Sequence, residues 1–472
     1  MHGTQTLADA ENVTAAGRGN PVEGVVFWLF VAGLAWVPLA QGSSGLQAWG
    51  INAMLFPALA VAYELSLLIA GRPHPIALKA IRIPAVMFLA VVGWTFVQMA
   101  GATPPAMHGE IWSLAADALG VPLEGRISVN RDLTLQALVR LMTAASVFWL
   151  ALQFSRDAAR ANRLMMGLAA ICVAYACYGL VVFATASIEP NRNNYVSSTF
   201  YNRNNFATYA GIGAVILTGL LLRHYRETIA MADTVRLRLA SLIETTGRGG
   251  AIYLCGLFIV MAVLLLTGSR GGIVSALCGG IVLLVLSVAQ ARKRVAGLGG
   301  VATFLALGVL IAIGGFGDTL LGKVGQQGFS DASRVAVYRL TLDSIRAAPI
   351  LGYGYGTFAD VFPMFRDRSI DTGGVWLMAH NTYLEVFQGL GLLFGGLLIG
   401  SVALLTLRCL RGALKRRQNA TLPCIAAGAG CLVAINSLVD FSLQIQAVTL
   451  TFMAVLGAGT AQAESSQAIV HD

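Results

Sequence analysis

The chain is dominated by runs of about 20 apolar residues, the length that carries a helix across the hydrocarbon core of a bilayer. Twelve runs qualify: 22–40, 48–70, 82–101, 132–154, 164–186, 205–222, 250–267, 272–289, 297–316, 383–407, 421–439 and 443–462. A soluble globule of 472 residues needs a polar coat, and with 56% hydrophobic and only 12% charged residues the chain cannot supply one. The expected fold is all-α, a polytopic integral membrane protein with about 12 transmembrane helices.

Charge then orients the helices. A net charge of +9 in a soluble protein would point to an anionic partner such as nucleic acid. Here the basic residues sort by loop instead. With the N-terminus inside, every inside turn is basic, from Arg72, Lys79 and Arg82 through Arg156, Arg160 and Arg163 to Arg408, Arg411 and Lys415. No nucleic acid partner is expected, and both termini fall on the cytoplasmic side. Residues 1–20 form a cytoplasmic tail without a cleavable signal pattern, 21–190 hold helices one to five, 191–462 form a second membrane region, and 463–472 are a cytoplasmic tail. The seven cysteines lie in or beside apolar runs, so neither disulfides nor a zinc site are expected.

Basic residues on the outer side escape the bias rule and are more informative. They are Arg192 and Arg203 before the sixth run, Arg270 between the seventh and eighth, and Arg334, Arg339 and Arg346 within the long outer segment 317–381. In that segment Ser330-Asp331 and the following SRVAVYRLTLDSIRAAP read as an N-capped amphipathic helix ending near Pro349, with Arg339 and Asp343 spaced to pair. GYGYG (352–356) reads as a turn, since neither a strand nor a helix flanks it as a nucleotide fingerprint requires. Glu64 and Arg140 lie inside apolar runs and read as a pair, or as snorkelling side chains that fix helix packing.

Three polar clusters stand directly before inward-running helices: TFYNRNNFATY (199–209), TGSRGG (267–272) and AHNTYLE (379–385). Each helix would turn its unpaired N–H groups and partial positive charge toward the outer face. Arg203 and Arg270 add guanidinium forks that match phosphate oxygens, and Gly271 and Gly272 allow close backbone approach. In the third cluster Thr382-x-x-Glu385 reads as a capping box, which leaves His380 and Asn381 just outside the helix. A histidine held there can exchange protons near neutral pH. Taken singly these residues have plainer readings: interfacial arginines that touch lipid headgroups, a histidine that only hydrogen-bonds, and Asn204 or Asn205 as a helix cap.

NRNNFATY, TGSRGG, the Arg334 helix leading into PILGYGYGTF, HNTYLE and NSLVDFSLQIQA (436–447) resemble, in order, the motifs of the bacterial O-antigen ligase and Wzy-type polymerase superfamily. The resemblance runs over roughly residues 195–455; the first 190 are similar only as hydrophobic helices. It implies an inner-membrane glycosyltransferase of the GT-C kind, taking a glycan from undecaprenyl diphosphate at the periplasmic face and passing it to a hydroxyl. The acceptor would be a second lipid-linked glycan in a polymerase or lipid A-core in a ligase, and a chain-length regulator is a candidate partner. Carried over by residue, it puts Arg203 and Arg270 on the diphosphate and His380 in catalysis, with Asn381, Arg334 and Asp440 supporting. No cofactor or metal is implied, and the chain contains no Asp-x-Asp.

The ligase pattern asks for Gly eleven residues after the histidine and Gly, Thr or Tyr three further on. Gly391 fits and Phe394 does not. That departure and the ending NSLVDFSLQIQA favour a polymerase over a ligase. A lipid-linked glycan transporter or flippase is the rival from another class, although transporters tend to show paired repeats and midplane sites that this chain lacks.

Overall fold

A computed structural model describes residues 21–186, 195–229, 244–291, 328–370, 374–416 and 420–463. The described part is helical, without strands. Its helices are α1 (Pro21–Trp36), α2 (Leu46–Ile69), α3 (Arg82–Met99), α4 (Glu110–Leu119), α5 (Arg131–Phe154), α6 (Ala158–Ala186) and α7 (Arg203–Ile229). They continue as α8 (Ala251–Leu266), α9 (Arg270–Ala291), α10 (Gly328–Ala347), α11 (Phe358–Phe365), α12 (Thr382–Lys415), α13 (Thr421–Asn436) and α14 (Gln446–Ala463). Each predicted apolar run coincides with a helix except 297–316, which lies outside the described residues, as does Arg192. By length and composition seven helices can cross a membrane, namely α2, α3 with its 3-10 lead-in, α5, α6, α7, α9 and α12, while α1, α8 and α13 are shorter apolar helices.

Helix α7 is the axis of the bundle: 94% of its apolar window is buried, against 17% for α3 at the periphery. Small residues permit the close approach, because in an apolar solvent helices associate through packing rather than through water exclusion. Where α9 crosses α13, a Cβ on Gly279 would lie 2.6 Å from the Gly428 carbonyl oxygen, and one on Gly428 would lie 2.7 Å from that of Gly279.

The bundle has two polar ends of different character. At one, the Glu23 carboxylate at the start of α1 pairs with Arg72 (2.7 Å) and Arg160 (3.1 Å), and Arg223 near the end of α7 donates to Asn162 near the start of α6. Arg72, Arg160 and Arg223 at this end are thus tied to partners. The start of α7 lies at the opposite end, with Arg203.

Glu64 and Arg140 do not pair with each other. Glu64 accepts from Trp149 Nε1 (2.6 Å) and contacts His74 Nε2 (2.7 Å), whereas the Arg140 guanidinium lies 4.2 Å from the Trp49 ring centroid. The outer helix also differs from expectation. It begins at Gly328, so Ser330 and Asp331 fall inside it rather than capping it. Arg339 pairs with Asp367 (2.7 Å) and Asp343 with Arg346 (2.7 Å), since each meets a nearer partner than the other. The Ser369 hydroxyl and N–H, aided by Arg339, hold the exposed Asp367 carboxyl below the usual range. A second excursion at the same end, carrying α4 between α3 and α5, has no counterpart in the apolar pattern.

α12 is broken at Gly391 (φ 75°, ψ 170°), and the break organises the outer segment. Backbone groups freed inside an apolar helix must find partners elsewhere. Leu392 N–H donates to the Pro349 carbonyl (2.8 Å), while the Gln388 and Gly389 carbonyls accept from Tyr353 N–H and Gly354 N–H (3.0 Å each). The predicted turn GYGYG is therefore docked into the break, with positive φ at Gly352, Gly354 and Gly356. Gln98, fully buried at the end of α3, completes the joint. Its amide donates to the Leu351 and Gly389 carbonyls (2.8 Å each), and its oxygen accepts from Tyr355 N–H (3.2 Å).

Two adjacent substitutions separate this joint from generic glycine effects. A Cβ on Gly391 would sit 2.1 Å from the Ile350 carbonyl oxygen, whereas one on Gly396 meets nothing within 4 Å. Gly391→Ala is expected to destabilise the detergent-solubilised protein by about 2–5 kcal/mol, through backbone strain plus overlap. Gly396→Ala should be neutral or stabilising by up to ~1 kcal/mol. Comparison of their unfolding midpoints with wild type checks both.

Candidate functional site

The polar clusters before α7, α9 and α12 converge at one end of the bundle, joined by the α13–α14 turn. A Cβ on Gly268 would lie 3.6 Å from the Arg203 guanidinium, and one on Gly271 would lie 3.1 Å from Val439. The Ser442 hydroxyl reaches Asn205 Oδ1 (3.1 Å) and Thr208 Oγ1 (3.0 Å) on α7. From α12, Thr382 N–H donates to the Ser437 carbonyl and Asn381 Nδ2 to that of Leu438, both at 2.9 Å.

Local chemistry positions each side chain. Asn202 caps α7, its Oδ1 accepting from Asn204 N–H (2.8 Å), so the cap is neither Asn204 nor Asn205. Arg203, the first helical residue, lies with its guanidinium carbon 4.6 Å from the Tyr195 ring centroid. Arg270 opens α9, with Nη2 buried and unpartnered. Arg203, Arg270 and Arg334 have no carboxylate partner among the described residues, in contrast to Arg72 and Arg160 at the other end. Uncommitted guanidinium groups beside helix N-termini make this end an anion-attracting surface.

The expected capping box does not form. Asn381 is the N-cap of α12, its Oδ1 accepting from Leu384 N–H (3.1 Å), and Thr382 is already helical. The Glu385 carboxylate reaches back past the cap to Ala379 N–H (2.6 Å) and also accepts from Gln444 Nε2 (2.8 Å). These bonds hold His380 in a left-handed backbone conformation (φ 54°), which costs a non-glycine residue about 1–3 kcal/mol and persists only where surroundings enforce it. The Tyr338 hydroxyl on α10 adds a third tether, donating to the His380 carbonyl (2.9 Å). Tyr338 had no signal in the sequence beyond its place on an amphipathic helix.

The imidazole is clamped between rings, edge-on to Trp376 (5.7 Å) and Phe441 (4.8 Å). Its Nδ1 lies 3.5 Å from Asp440 Oδ1, and neither atom has another partner. The Asp440 side chain is only 4% exposed, and its other oxygen faces the Ser442 hydroxyl at 3.1 Å. His380 borders a cleft of about 350 Å³ with Ser333, Ile370 and Trp376, and Arg334 follows Ser333 on α10.

A larger cavity of about 980 Å³ adjoins the site through Thr382 and Phe441. Asn202 and Asn205 from the α7 cluster, Trp49, Gln136, Arg140, Tyr355, Glu385 and Gln444 line its polar part. Leu398, Val402, Leu410, Ala427 and Met453 line the apolar remainder between α12, α13 and α14.

Fold and site together define a multi-pass helical membrane protein with a histidine–carboxylate pair among free arginines at one end. Residues 255–400 match the family model described as O-antigen ligase, Wzy_C. This match supports membership of the O-antigen ligase and Wzy-type polymerase superfamily, and with it a bacterial ligase or polymerase type of function in polysaccharide assembly. The matched stretch takes in Arg270, Arg334, His380 and Asn381; Arg203 precedes it and Asp440 follows it. No curated protein matches the chain.

The tethers of the histidine loop differ in worth. Glu385→Ala would strand two buried donors, the Ala379 N–H and the Gln444 amide, at about 1–3 kcal/mol each. Tyr338→Phe removes the bond to the His380 carbonyl, worth about 1 kcal/mol. Chemical unfolding in detergent should rank the two in that order.

Proposed function

We propose that this protein is an inner-membrane glycosyltransferase that moves a glycan from undecaprenyl diphosphate to a hydroxyl at the periplasmic face, and that it is a polymerase. The observation that carries the reading is the meeting of Arg203, Arg270 and the His380–Asp440 pair at one end of the bundle, opposite the end where Glu23 pairs with Arg72 and Arg160. The positive-inside pattern puts the Arg72 and Arg160 end in the cytoplasm and the candidate site at the periplasmic face.

In this mechanism Arg203 and Arg270 hold the diphosphate and stabilise the charge that grows on it as the anomeric C–O bond breaks. The electron pair of that bond leaves with the diphosphate. The acceptor oxygen attacks the opposite face of the sugar, so the anomeric configuration inverts. Asp440 faces Nδ1 of His380, which favours the tautomer with Nδ1 protonated and leaves Nε2 to take the proton of the acceptor hydroxyl. Asn381 fixes the helix start beneath the histidine, and Arg334 adds positive charge beside the cleft. Arginines here do the work that a divalent ion does in many sugar-nucleotide enzymes, so activity is expected to survive EDTA.

The second reading is an O-antigen ligase acting on lipid A-core. His380, Asn381 and Gly391 favour it, but Gly391 is already required by the break in α12. Phe394, where the ligase pattern has Gly, Thr or Tyr, stacks on Trp94 (4.5 Å, 5° between planes) as a packing residue.

Purified protein given undecaprenyl-diphosphate glycan alone should build a ladder, lost in His380→Ala. A single product formed only with lipid A-core present would replace the polymerase by a ligase, and lipid movement across vesicles without transfer would replace both by a transporter. Arg203→Lys and Arg270→Lys should each reduce turnover by about tenfold or more, because a point charge cannot reproduce the fork. Full turnover in both would remove them from the diphosphate role, and loss of activity in EDTA restored by magnesium would overturn the metal-free mechanism.

A further inference from the structure

Arg140 and Glu385 take no part in the chemistry above, yet they are the only acidic or basic residues lining the larger cavity among the described residues. One is basic and the other acidic, unlike the Arg203 and Arg270 surface, where the charged side chains are basic. Arg140 also sits inside an apolar helix, where a cation is costly unless engaged. No carboxylate lies within ion-pair distance of it among the described residues. Its Nη1 makes one long contact, 3.4 Å to the Gln444 carbonyl, and its buried Nε has no partner.

The neighbouring groups are similarly underused. The side chains of Gln136 and Tyr355 line the cavity without a hydrogen bond among the described residues, while the Trp49 ring, pinned by its Nε1 bond to the Ser43 carbonyl (2.8 Å), supports the guanidinium. Each Glu385 oxygen accepts one bond and retains capacity for another. Forked donors, carboxyl oxygens, an amide, a phenol and an indole in one recess match a ligand whose hydroxyls both donate and accept and whose ring carbons pack on an aromatic surface. That ligand class is an uncharged sugar. Thr382 and Phe441, which separate this recess from His380, put such a sugar next to the reacting centre.

We infer that the polar part of the larger cavity is a saccharide subsite, in which Trp49, Gln136, Arg140 and Glu385 bind an uncharged pyranose of the lipid-linked glycan. The inference rests on the proposed glycan-transfer function for the identity of the ligand. The sugar belongs either to the donor or to the acceptor, and kinetics distinguish them.

The test uses full-length protein in detergent and, as probe, the water-soluble oligosaccharide released by mild acid from the lipid-linked glycan of the producing cells. Saturation-transfer NMR should show its ring protons contacting wild type and His380→Ala alike. The signal should fall at least about fivefold in Arg140→Gln and Trp49→Leu, and recover in part in Trp49→Phe. Gln136→Leu, which breaks no bond within the protein, should weaken binding too, and it carries the test if the other variants do not fold. In transfer assays these variants should raise KM with little change in kcat; a rise in the donor KM assigns the sugar to the donor, and a rise in the acceptor KM to the acceptor. Absence of binding to wild type, or wild-type binding by folded Arg140→Gln, Trp49→Leu and Gln136→Leu, overturns the subsite. If instead the subsite variants lose binding while His380→Ala still transfers glycan, the catalytic reading falls and the subsite stands.

Discussion

A helix in an apolar surrounding cannot leave backbone groups unpaired, and in this protein that rule is met at one place by borrowing from another part of the chain. The break at Gly391 frees the Gln388 and Gly389 carbonyls and the Leu392 N–H, and the 349–354 turn satisfies all three. The outer segment is thereby fixed to α12, and α10 is fixed with it through the Gln388 to Ser344 hydrogen bond (2.8 Å). With α10 in place, Tyr338 reaches the His380 carbonyl. A backbone requirement deep in the helix thus reaches the candidate site, through a turn that a single Cβ at Gly391 would displace.

Charge is distributed by the same economy. At one end Glu23 neutralises Arg72 and Arg160, whereas at the other Arg203, Arg270 and Arg334 have no carboxylate partner among the described residues. Leaving them so costs self-repulsion, and holding His380 at φ 54° adds strain. The long 3.5 Å separation of His380 Nδ1 and Asp440 Oδ1, with both atoms unpartnered, belongs to the same pattern.

Much of this was legible in the sequence. The apolar runs gave the helices because a bilayer demands a fixed length of apolar chain, and the polar clusters before α7, α9 and α12 stood out against them. What failed was choice among partners. Thr382-x-x-Glu385 offers a capping box, but Asn381 supplies the cap and frees Glu385 to reach Ala379. Arg339 and Asp343 have the helical spacing to pair, yet Asp367 and Arg346 are better placed. α4 is only ten residues long and escaped the search for spanning runs. The role of Arg140 depends on Trp49 and Gln444, which lie far from it along the chain.

The position of the break also divides α12 into two working lengths. The 25 residues from Gly391 to Lys415 rise about 37 Å at ~1.5 Å each, enough to cross a hydrocarbon core of about 30 Å unaided. The remaining nine, Thr382–Leu390, add about 13 Å beyond that length. His380 lies just ahead of Asn381, the cap of this stub. On the proposed function, that added length would let a substrate anchored by its own lipid tail meet the histidine by lateral diffusion in the plane of the bilayer, with no need to be lifted out of it.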